Sequence, residues 1–295
     1  ITFEDIRVEH IQEGQLFHLR VMYNQKYNTG PGRGVKNITF RNISCTGKYI
    51  NPSLIEGYDK NRKIENVLFE NIVLNGRRIT SLEELNIDKK ALRLYAVTDR
   101  TWLDGRTLYD DVEKALKGGV TLLQLREKNM STDNFINSSK EIKSLCEKNN
   151  VPLIINDNVD VAKAVNADGV HIGQNDMPAH EARKILGKNK IIGVTAKTVE
   201  QAQKAEKDGA DYLGSGAIFG TTTKGDAKKM DMQTLKSITS SVNIPVVAIG
   251  GIDGDNVLQL KGTGIVGAAV VSGIFAQDDI ETATKDLYNK IGEMI

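Results

Sequence analysis

From about Leu92 to the end of the chain, short apolar segments alternate with segments of helical periodicity. Eight such pairs occur within roughly 200 residues, the count and length typical of a closed (β/α)8 barrel. A doubly wound open sheet is the alternative architecture. We therefore predict an α/β fold with a TIM barrel over residues 92–295, in which DNVLQLKGT, after the seventh strand, is one of the helices. The predicted strands lie in LRLYAVTD, VTLLQLREK, VPLIIND, DGVHIG, KIIGVTA, DYLGSGAIF, IPVVAIGG and GIVGAAVVSG.

The first 86 residues follow a different pattern. Three loosely similar copies of alternating apolar and polar residues begin at Ile1, Ile38 and Val67, with the sequences ITFEDIRVE, ITFRNISCTG and VLFENIVLNG. Alternation predicts strands, and a spacing of about 30 to 37 residues is typical of stacked solenoid coils. We expect a short all-β fragment at 1–86, a junction at 87–91 in the polar stretch SLEELNIDKKA, and the barrel domain at 92–295.

The charge balance and the cysteines exclude several classes of protein. With 39 basic and 38 acidic residues, the chain has no overall field that favours nucleic acid or an anionic membrane. No apolar stretch approaches the roughly 18 residues of a membrane span, and ITFEDIRVEH lacks the basic and apolar regions of a signal peptide. Cys45 and Cys146 stand alone, so neither a disulfide framework nor a zinc site is indicated. We expect a cytoplasmic protein without nucleic-acid or membrane partners.

Basic side chains follow the second apolar segment of the predicted barrel. Gln124, Arg126 and Lys128 are spaced by two, so on a continuing strand their side chains leave on one face, toward the lumen and its rim. A guanidinium fork beside an ammonium point charge suits a diphosphate. The alternative is that the strand ends in a charged loop, with Lys128 in water.

Acidic side chains follow the third and fourth apolar segments. Asp157 and Asp176 are expected at adjacent positions on one rim, as two ligands of Mg²⁺ would be. Asn156 can hydrogen-bond an uncharged ring nitrogen or an amine. Asp157 could equally cap the helix that follows it. For His171, on the apolar run DGVHI, a packed and hydrogen-bonded role is favoured over a catalytic one.

Phosphate-binding features follow the last three strands. The polar loop GTTTKGDAKK offers Thr221, Thr223 and Lys224 to phosphate oxygens and is long enough to close over a substrate. Gly250-Gly251 and Ser272-Gly273 come where barrels commonly bind phosphate through backbone amides. The sequence therefore predicts an enzyme that acts on a phosphorylated small molecule.

Several of these strings together resemble the thiamine phosphate synthase family over essentially all of residues 92–295. They are LYAVTDR, QLREK, IINDNVDVAKAVNADGVHIGQND, GTTTKGDA, AIGGI and VVSGI. The resemblance implies a transferase that joins hydroxymethylpyrimidine diphosphate to thiazole phosphate, releases pyrophosphate and uses Mg²⁺. It also allows for a homo-oligomer.

The resemblance implies a role for each matched residue. Asp157 and Asp176 hold Mg²⁺, and Thr195, where the family more often has Ser, keeps a hydroxyl near the reacting centre. Gly220 stands where the family usually has Pro, which should loosen the loop. The pyrimidine is bound by Gln124 and Asn156, the diphosphate by Arg126, Lys128 and Lys224, and the thiazole phosphate by Thr221, Thr223, Gly251, Val271 and Ser272.

Two alternative functions remain open from the sequence. A thiazole tautomerase-like barrel would carry a histidine after the fifth strand, where TAKT offers Lys197. The other alternative is a carbohydrate-binding or structural role for residues 1–86, which resemble the last coils of polygalacturonase-type β-helices (glycoside hydrolase family 28). That resemblance rests on GRGVKNITFRNIS and NPSLIEGYDKNRKIENVLFENIVLNG. The catalytic strings NTD, DD and GHG of that family do not occur in residues 1–86, so no hydrolase activity is expected.

Overall fold

The computed structural model forms two compact units, Ile1–Asp88 and Lys89–Ile295. Among the described residues, every helix is too short or too polar to cross a membrane. The structure describes residues 1–11, 14–15, 18–20, 35–47, 50–51, 54–56, 64–74, 77–79, 89–187, 190–220 and 229–295.

The described part of the first unit consists of strands. The long strands β5 and β8 run parallel, β1 and β2 both pair in parallel with β5, and β9 pairs antiparallel with β8. The two short pairs, β3 with β6 and β4 with β7, are also parallel. The strands are β1 (Thr2–Glu4), β2 (Arg7–Ile11), β3 (Gly14–Gln15), β4 (His18–Arg20), β5 (Val35–Gly47), β6 (Ile50–Asn51), β7 (Leu54–Glu56), β8 (Ile64–Leu74) and β9 (Arg77–Ile79).

The three copies of the sequence repeat lie side by side in register. Phe3 pairs with Phe40, and Phe40 pairs with Phe69, so equivalent residues of successive copies are neighbours. The three rings stack, with centroids 5.1 and 5.2 Å apart and planes within 13° of parallel. Ile38, Ile43 and other apolar residues of the same strands are buried.

A second ladder runs through the polar residue two positions after each stacked phenylalanine. Asp5, Asn42 and Asn71 all have positive φ, near +55°, a conformation that Asn and Asp tolerate better than most residues. The side-chain amide of Asn42 donates to Asp5 at 2.8 Å, and that of Asn71 donates to Asn42 at 2.9 Å. The polar side chains of successive copies thus hydrogen-bond to one another.

The second unit is a closed barrel of eight parallel strands with β10 next to β17. The (β/α)8 prediction is confirmed and the open-sheet alternative is wrong. The strands are β10 (Leu94–Val97), β11 (Leu122–Leu125), β12 (Leu153–Asn156), β13 (Gly169–Ile172), β14 (Ile191–Thr195), β15 (Tyr212–Gly216), β16 (Val246–Ile249) and β17 (Gly267–Val270). The helices are α1 (Leu108–Lys117), α2 (Thr132–Lys148), α3 (Val159–Ala164), α4 (Ala179–Leu186), α5 (Val199–Lys207), α6 (Met232–Ser241), α7 (Ser272–Phe275) and α8 (Ile280–Met294).

One predicted helix is reduced to a single turn. The segment after β16 forms a 3₁₀ turn at Val257–Leu260 instead of an α-helix. Gly262 and Gly264 follow with φ of +75° and +84°, which ends any helical continuation. A short helix that the sequence analysis did not predict, α7, precedes α8.

The barrel has two apolar layers, one between strands and helices and one in the lumen. Two lumen positions are glycine because rings from other strands of the barrel fill the space. A Cβ at Gly193 would lie 2.1 Å from a ring carbon of Tyr212, and a Cβ at Gly214 would lie 3.1 Å from His171. The lumen layer includes Tyr95, Val97, Leu122, Ile154, Tyr212, Val247 and Ala269.

Candidate active site

The candidate residues of the first five barrel strands, β10 to β14, lie at the carboxyl ends of those strands. We call this end of the barrel the mouth. Gln124 is in β11, Asn156 ends β12, and Thr195 ends β14. Asn156 pairs in register with His171 of β13. Because all eight strands are parallel, residues at their carboxyl ends share one rim.

Arg126 is held at this rim by the loop after β10. The strand β11 ends at Leu125, so Arg126 and Lys128 lie beyond it and the predicted continuous strand is wrong. The Arg126 amide donates to Thr98 Oγ1 at 2.9 Å, and its Nη1 donates to Asp99 Oδ2 at 2.6 Å. Both charged side chains are about nine-tenths buried, which fixes the guanidinium while its remaining N–H groups can meet an anion.

Asp99 was missed by the sequence analysis. Its Oδ1 accepts hydrogen bonds from the amide of Thr101 at 2.9 Å and from the hydroxyl at 2.5 Å, so the carboxylate is fixed on both sides. The available signal was the pair Thr98-Asp99, which directly follows the apolar run of the first barrel strand.

Asp157 and Asp176 lie close together, in the loops after β12 and β13. Burial raises the pKa of Asp157, and the charge and a hydrogen bond of Asp176 raise this pKa further. Lys128 Nζ lies 3.9 Å from Asp157 Oδ2 and acts in the opposite direction. The amide of Gly173 donates to Asp176 Oδ2 at 2.6 Å. A carboxyl group whose ionisation is disfavoured by a neighbouring carboxylate, as that of Asp157 is, suits a divalent cation.

The helix-capping alternative for Asp157 is wrong. Asn158 caps α3, because its Oδ1 accepts from the Val161 amide at 2.9 Å. Asp157 itself has φ of +61°, and its amide donates to the carbonyl of His171 at 2.8 Å, so the backbone ties the loop after β12 to strand β13.

Within the described residues, no group of three or more His, Cys, Asp or Glu side chains is placed to hold a metal ion. Proteins nevertheless usually contribute only one or two carboxylate ligands to Mg²⁺, because substrate phosphates and water supply the other ligands. Asp157 and Asp176 are therefore the residues that fit this ion.

A chain of hydrogen bonds crosses the lumen below the mouth. Gln124 Nε2 donates to the hydroxyl of Tyr95, which lies 2.8 Å from the hydroxyl of Tyr212. The Tyr212 hydroxyl is 2.9 Å from His171 Nδ1, and His171 Nε2 is 3.0 Å from Thr195 Oγ1. His171 is thus packed and hydrogen-bonded, as the favoured interpretation predicted.

The backbone after β16 and β17 approaches neighbouring loops closely. Gly250 and Gly251 have φ of +102° and +65°, and a Cβ at Gly251 would lie 2.2 Å from the carbonyl oxygen of Gly220. Val271 and Ser272 directly follow β17, where Ser272 begins α7. Thr221, Thr223 and Lys224 lie outside the described residues.

Comparison with known proteins identifies the family. A family model described as "Thiamine monophosphate synthase" matches residues 94–274. The chain belongs to the thiamine monophosphate synthase family. A thiamine-phosphate synthase of Clostridium tetani is 55% identical over 194 residues, 66% of this chain and 93% of that protein. The Clostridium acetobutylicum protein of the same name is 52% identical over 204 residues, 69% of this chain and 95% of that protein.

One solved structure supports the assignment to the thiamine monophosphate synthase family, and a more distant one shares the fold alone. A thiamine phosphate pyrophosphorylase from Pyrococcus furiosus is 40% identical, with a TM-score of 0.65, over 70% of this chain and 98% of that chain. A 3-hexulose-6-phosphate synthase, 15% identical with a TM-score of 0.53, shares the fold over 68% of this chain and 99% of its own.

Proposed function

We propose that the barrel joins hydroxymethylpyrimidine diphosphate to thiazole phosphate, giving thiamine phosphate and pyrophosphate. The proposal is supported by the relatives named thiamine-phosphate synthase, which are about half identical to this chain. The observation that carries it is the gathering of Arg126, Lys128, Asp157 and Asp176 at one rim, since fixed cations beside a carboxylate pair suit a diphosphate.

The chemistry asks the protein mainly to stabilise a leaving group. The bond between the pyrimidinylmethyl carbon and the diphosphate oxygen breaks, and its electron pair leaves with pyrophosphate. The carbon becomes a cation that the electron-rich pyrimidine ring stabilises, and the lone pair of the thiazole nitrogen then forms the new C–N bond. No strong general base is needed, because the main demands are orientation and stabilisation of the departing charge.

The basic residues of the mouth neutralise that charge. Arg126 presents a guanidinium that Asp99 orients, and Lys128 contributes a more exposed ammonium. Lys224 adds a third cation in the proposal, on the basis of the family resemblance alone. Fixed charges stabilise a transition state well because they need little reorganisation during the reaction.

Asp157 and Asp176 would hold Mg²⁺. When bound, the ion would neutralise negative charge on the diphosphate oxygens. The raised pKa of Asp157 supports the assignment, since a cation between the two carboxyl groups would relieve their repulsion.

The remaining candidate residues would hold the two substrates. Gln124 and Asn156 would bind the pyrimidine, and Thr195 would lie near the reacting centre. The thiazole phosphate would be bound by Thr221, Thr223, Gly251, Val271 and Ser272.

The test is release of pyrophosphate by the full chain when both phosphorylated precursors and magnesium are supplied. Pyrophosphate should appear at a rate that depends on both precursors and falls when the metal is chelated. A chain that releases none, while a known thiamine-phosphate synthase does so in the same assay, lacks the proposed activity.

For residues 1–86 we propose a non-catalytic fragment of a polygalacturonase-type β-helix. Its support is the in-register parallel stacking of the three copies, with the Phe3–Phe40–Phe69 stack and the Asp5–Asn42–Asn71 ladder. Calorimetric titration with oligogalacturonides separates this role from carbohydrate binding. Absence of heat release supports a non-binding fragment, whereas saturable heat supports the carbohydrate-binding alternative.

We propose a cytoplasmic location and a homo-oligomeric state for this enzyme. Cys45 and Cys146 are both buried free thiols, which suits a reducing compartment. The oligomeric state is measured by light scattering of the full chain, where a monomeric mass would refute that part of the proposal.

A further inference from the structure

The hydrogen-bond chain in the lumen joins two residues of the proposed substrate site through three residues that the mechanism does not use. Gln124 and Thr195 are its ends, and Tyr95, Tyr212 and His171 lie between them. The five side chains come from five different barrel strands, β10, β11, β13, β14 and β15.

The direction of the bonds follows from the need of each buried phenol hydrogen for an acceptor. Gln124 donates its amide hydrogen to the Tyr95 oxygen, and we assign the single Tyr95 hydrogen to the Tyr212 oxygen, which gives it an acceptor within the hydrogen-bond chain. The Tyr212 hydrogen is then directed to Nδ1 of His171. A neutral imidazole that accepts at Nδ1 carries its hydrogen on Nε2 and donates it to Thr195 Oγ1. The hydroxyl hydrogen of Thr195 therefore remains for another acceptor.

We propose that Tyr95, Tyr212 and His171 are positioning residues that orient the Gln124 amide and the Thr195 hydroxyl toward the substrate. The inference rests on the proposed function for the assignment of the two ends. Gln124 keeps its carbonyl oxygen available to an amino group of the substrate. Thr195 presents a hydroxyl donor to a nitrogen or oxygen acceptor near the reacting carbon.

The lumen keeps the phenols of this hydrogen-bond chain neutral. Tyr95 and Tyr212 are each 1% exposed, and burial raises the pKa of both phenols, so both keep their hydrogens. Gly193 and Gly214 leave the space that the Tyr212 and His171 rings occupy. A buried hydroxyl without a partner costs free energy, so two phenols in an apolar layer are stable because they satisfy each other and their neighbours.

The tautomer of His171 reports the direction of the bonds in the hydrogen-bond chain. If the Gln124 amide were turned over, its oxygen would accept from Tyr95, each bond would reverse, and the His171 hydrogen would lie on Nδ1. Nitrogen-15 NMR distinguishes the two neutral tautomers. The protein contains four histidines, so comparison with the His171→Asn variant assigns the signal of His171.

The experiment compares Tyr212→Phe with Tyr288→Phe in the full chain. Both remove one phenol hydroxyl, but Tyr288 lies on α8 against Arg93, outside the hydrogen-bond chain. We expect wild-type His171 to carry its hydrogen on Nε2, and Tyr212→Phe to lose that preference. Turnover of Tyr212→Phe should fall about tenfold with little change in KM, because Thr195 loses its orientation. Tyr288→Phe should match the wild type in both measurements.

Tyr95→Phe provides a second, independent test and replaces Tyr212→Phe if that variant does not fold. It frees Gln124 but leaves Tyr212 able to donate to His171, so the Nε2 tautomer should persist while KM for the pyrimidine diphosphate rises about tenfold. An Nδ1 tautomer in the wild type, or wild-type kinetics in both folded phenylalanine variants, would overturn the inference. Failure of the wild type to release pyrophosphate would instead refute the proposed function, and the NMR measurement would still test the hydrogen-bond chain.

Discussion

At the scale of single residues, the charges at the mouth carry the proposed catalysis. Asp157→Asn and Lys224→Ala should each lower turnover by at least about 10², since each removes stabilisation of the departing pyrophosphate. The measurement is coupled pyrophosphate release at saturating magnesium. Asp160→Asn is the matched control, because Asp160 is an exposed acid in the first turn of α3 and should leave turnover unchanged. Normal turnover in both site variants would refute the site assignment.

Cys146 should be inert toward thiol reagents. Burial, followed by the charges of Asp168 and Glu147, raises the pKa of its thiol from 9.0 to about 12. Because the folded-state pKa is higher than the unfolded one, this contribution to folding stability is complete below about pH 9 and is lost as pH rises toward 12. A Cys45→Ser variant at pH 8 should react slowly with a chromogenic disulfide when native and rapidly in guanidinium chloride. Rapid reaction of the native protein would contradict this expectation.

Sequence reasoning predicted the charged residues of the candidate site but not the hydrogen-bonded residues beneath them. Polar residues at the ends of apolar runs stand out, which is why Arg126, Asp157 and Asp176 could be predicted. Tyr95 and Tyr212 could not, because a tyrosine inside an apolar run looks like ordinary core. Their mutual hydrogen bond joins positions 117 residues apart, a pairing that only closure of the barrel creates.

At the scale of strands and helices, most of the barrel was predictable because the alternation of patterns is regular. The departures lie where local chemistry overrides the pattern. Gly262 and Gly264 end the helical turn after β16, and Asn158 takes the capping role that Asp157 could have filled. For β11, the spacing of Gln124 and Arg126 suited a longer strand than the one that forms.

Replacing Gly193 of β14 should lower turnover as well as stability. Gly193→Ala places a Cβ within 2.1 Å of the Tyr212 ring, and overpacking of this kind typically costs about 1–3 kcal/mol. Gly187→Ala is the control. Gly187 has φ of +85° and ψ of −179° with no atom within 4 Å of the added Cβ, so the cost of this variant is backbone strain of about 1–3 kcal/mol. Thermal unfolding should show similar losses, whereas pyrophosphate release should fall in Gly193→Ala alone. Equal turnover in the two variants would argue against the role of Tyr212.

The stacked phenylalanines should stabilise the parallel strands of the first unit. Phe40 is 7% exposed between two rings, whereas Phe3 is 40% exposed at the end of the stack. Phe40→Ala should destabilise these strands by about 3 kcal/mol or more, and Phe3→Ala by less. Hydrogen–deuterium exchange over residues 35–47 measures the difference. Equal exchange rates in the two variants would mean that the stack contributes little.

At the scale of the whole molecule, the barrel should not depend on the first 86 residues. Its apolar layers, as far as the structure describes them, draw on residues between Leu92 and Met294, and the family match begins at residue 94. Deleting residues 1–86 should leave a cooperative thermal transition and pyrophosphate release within about twofold of the full chain. Loss of the cooperative transition would show that the first unit supports the second.

The bond between Tyr95 and Tyr212 also bears on how this barrel could be divided. It links the first strand of the ring to the sixth, so cutting the gene into two half-barrels would leave each piece with unsatisfied phenols and an incomplete rim. The pairing of β10 with β17, by contrast, keeps the strand ring continuous across the ends of the barrel sequence. Circular permutation that opens a loop far from the rim is therefore the rearrangement this architecture should tolerate.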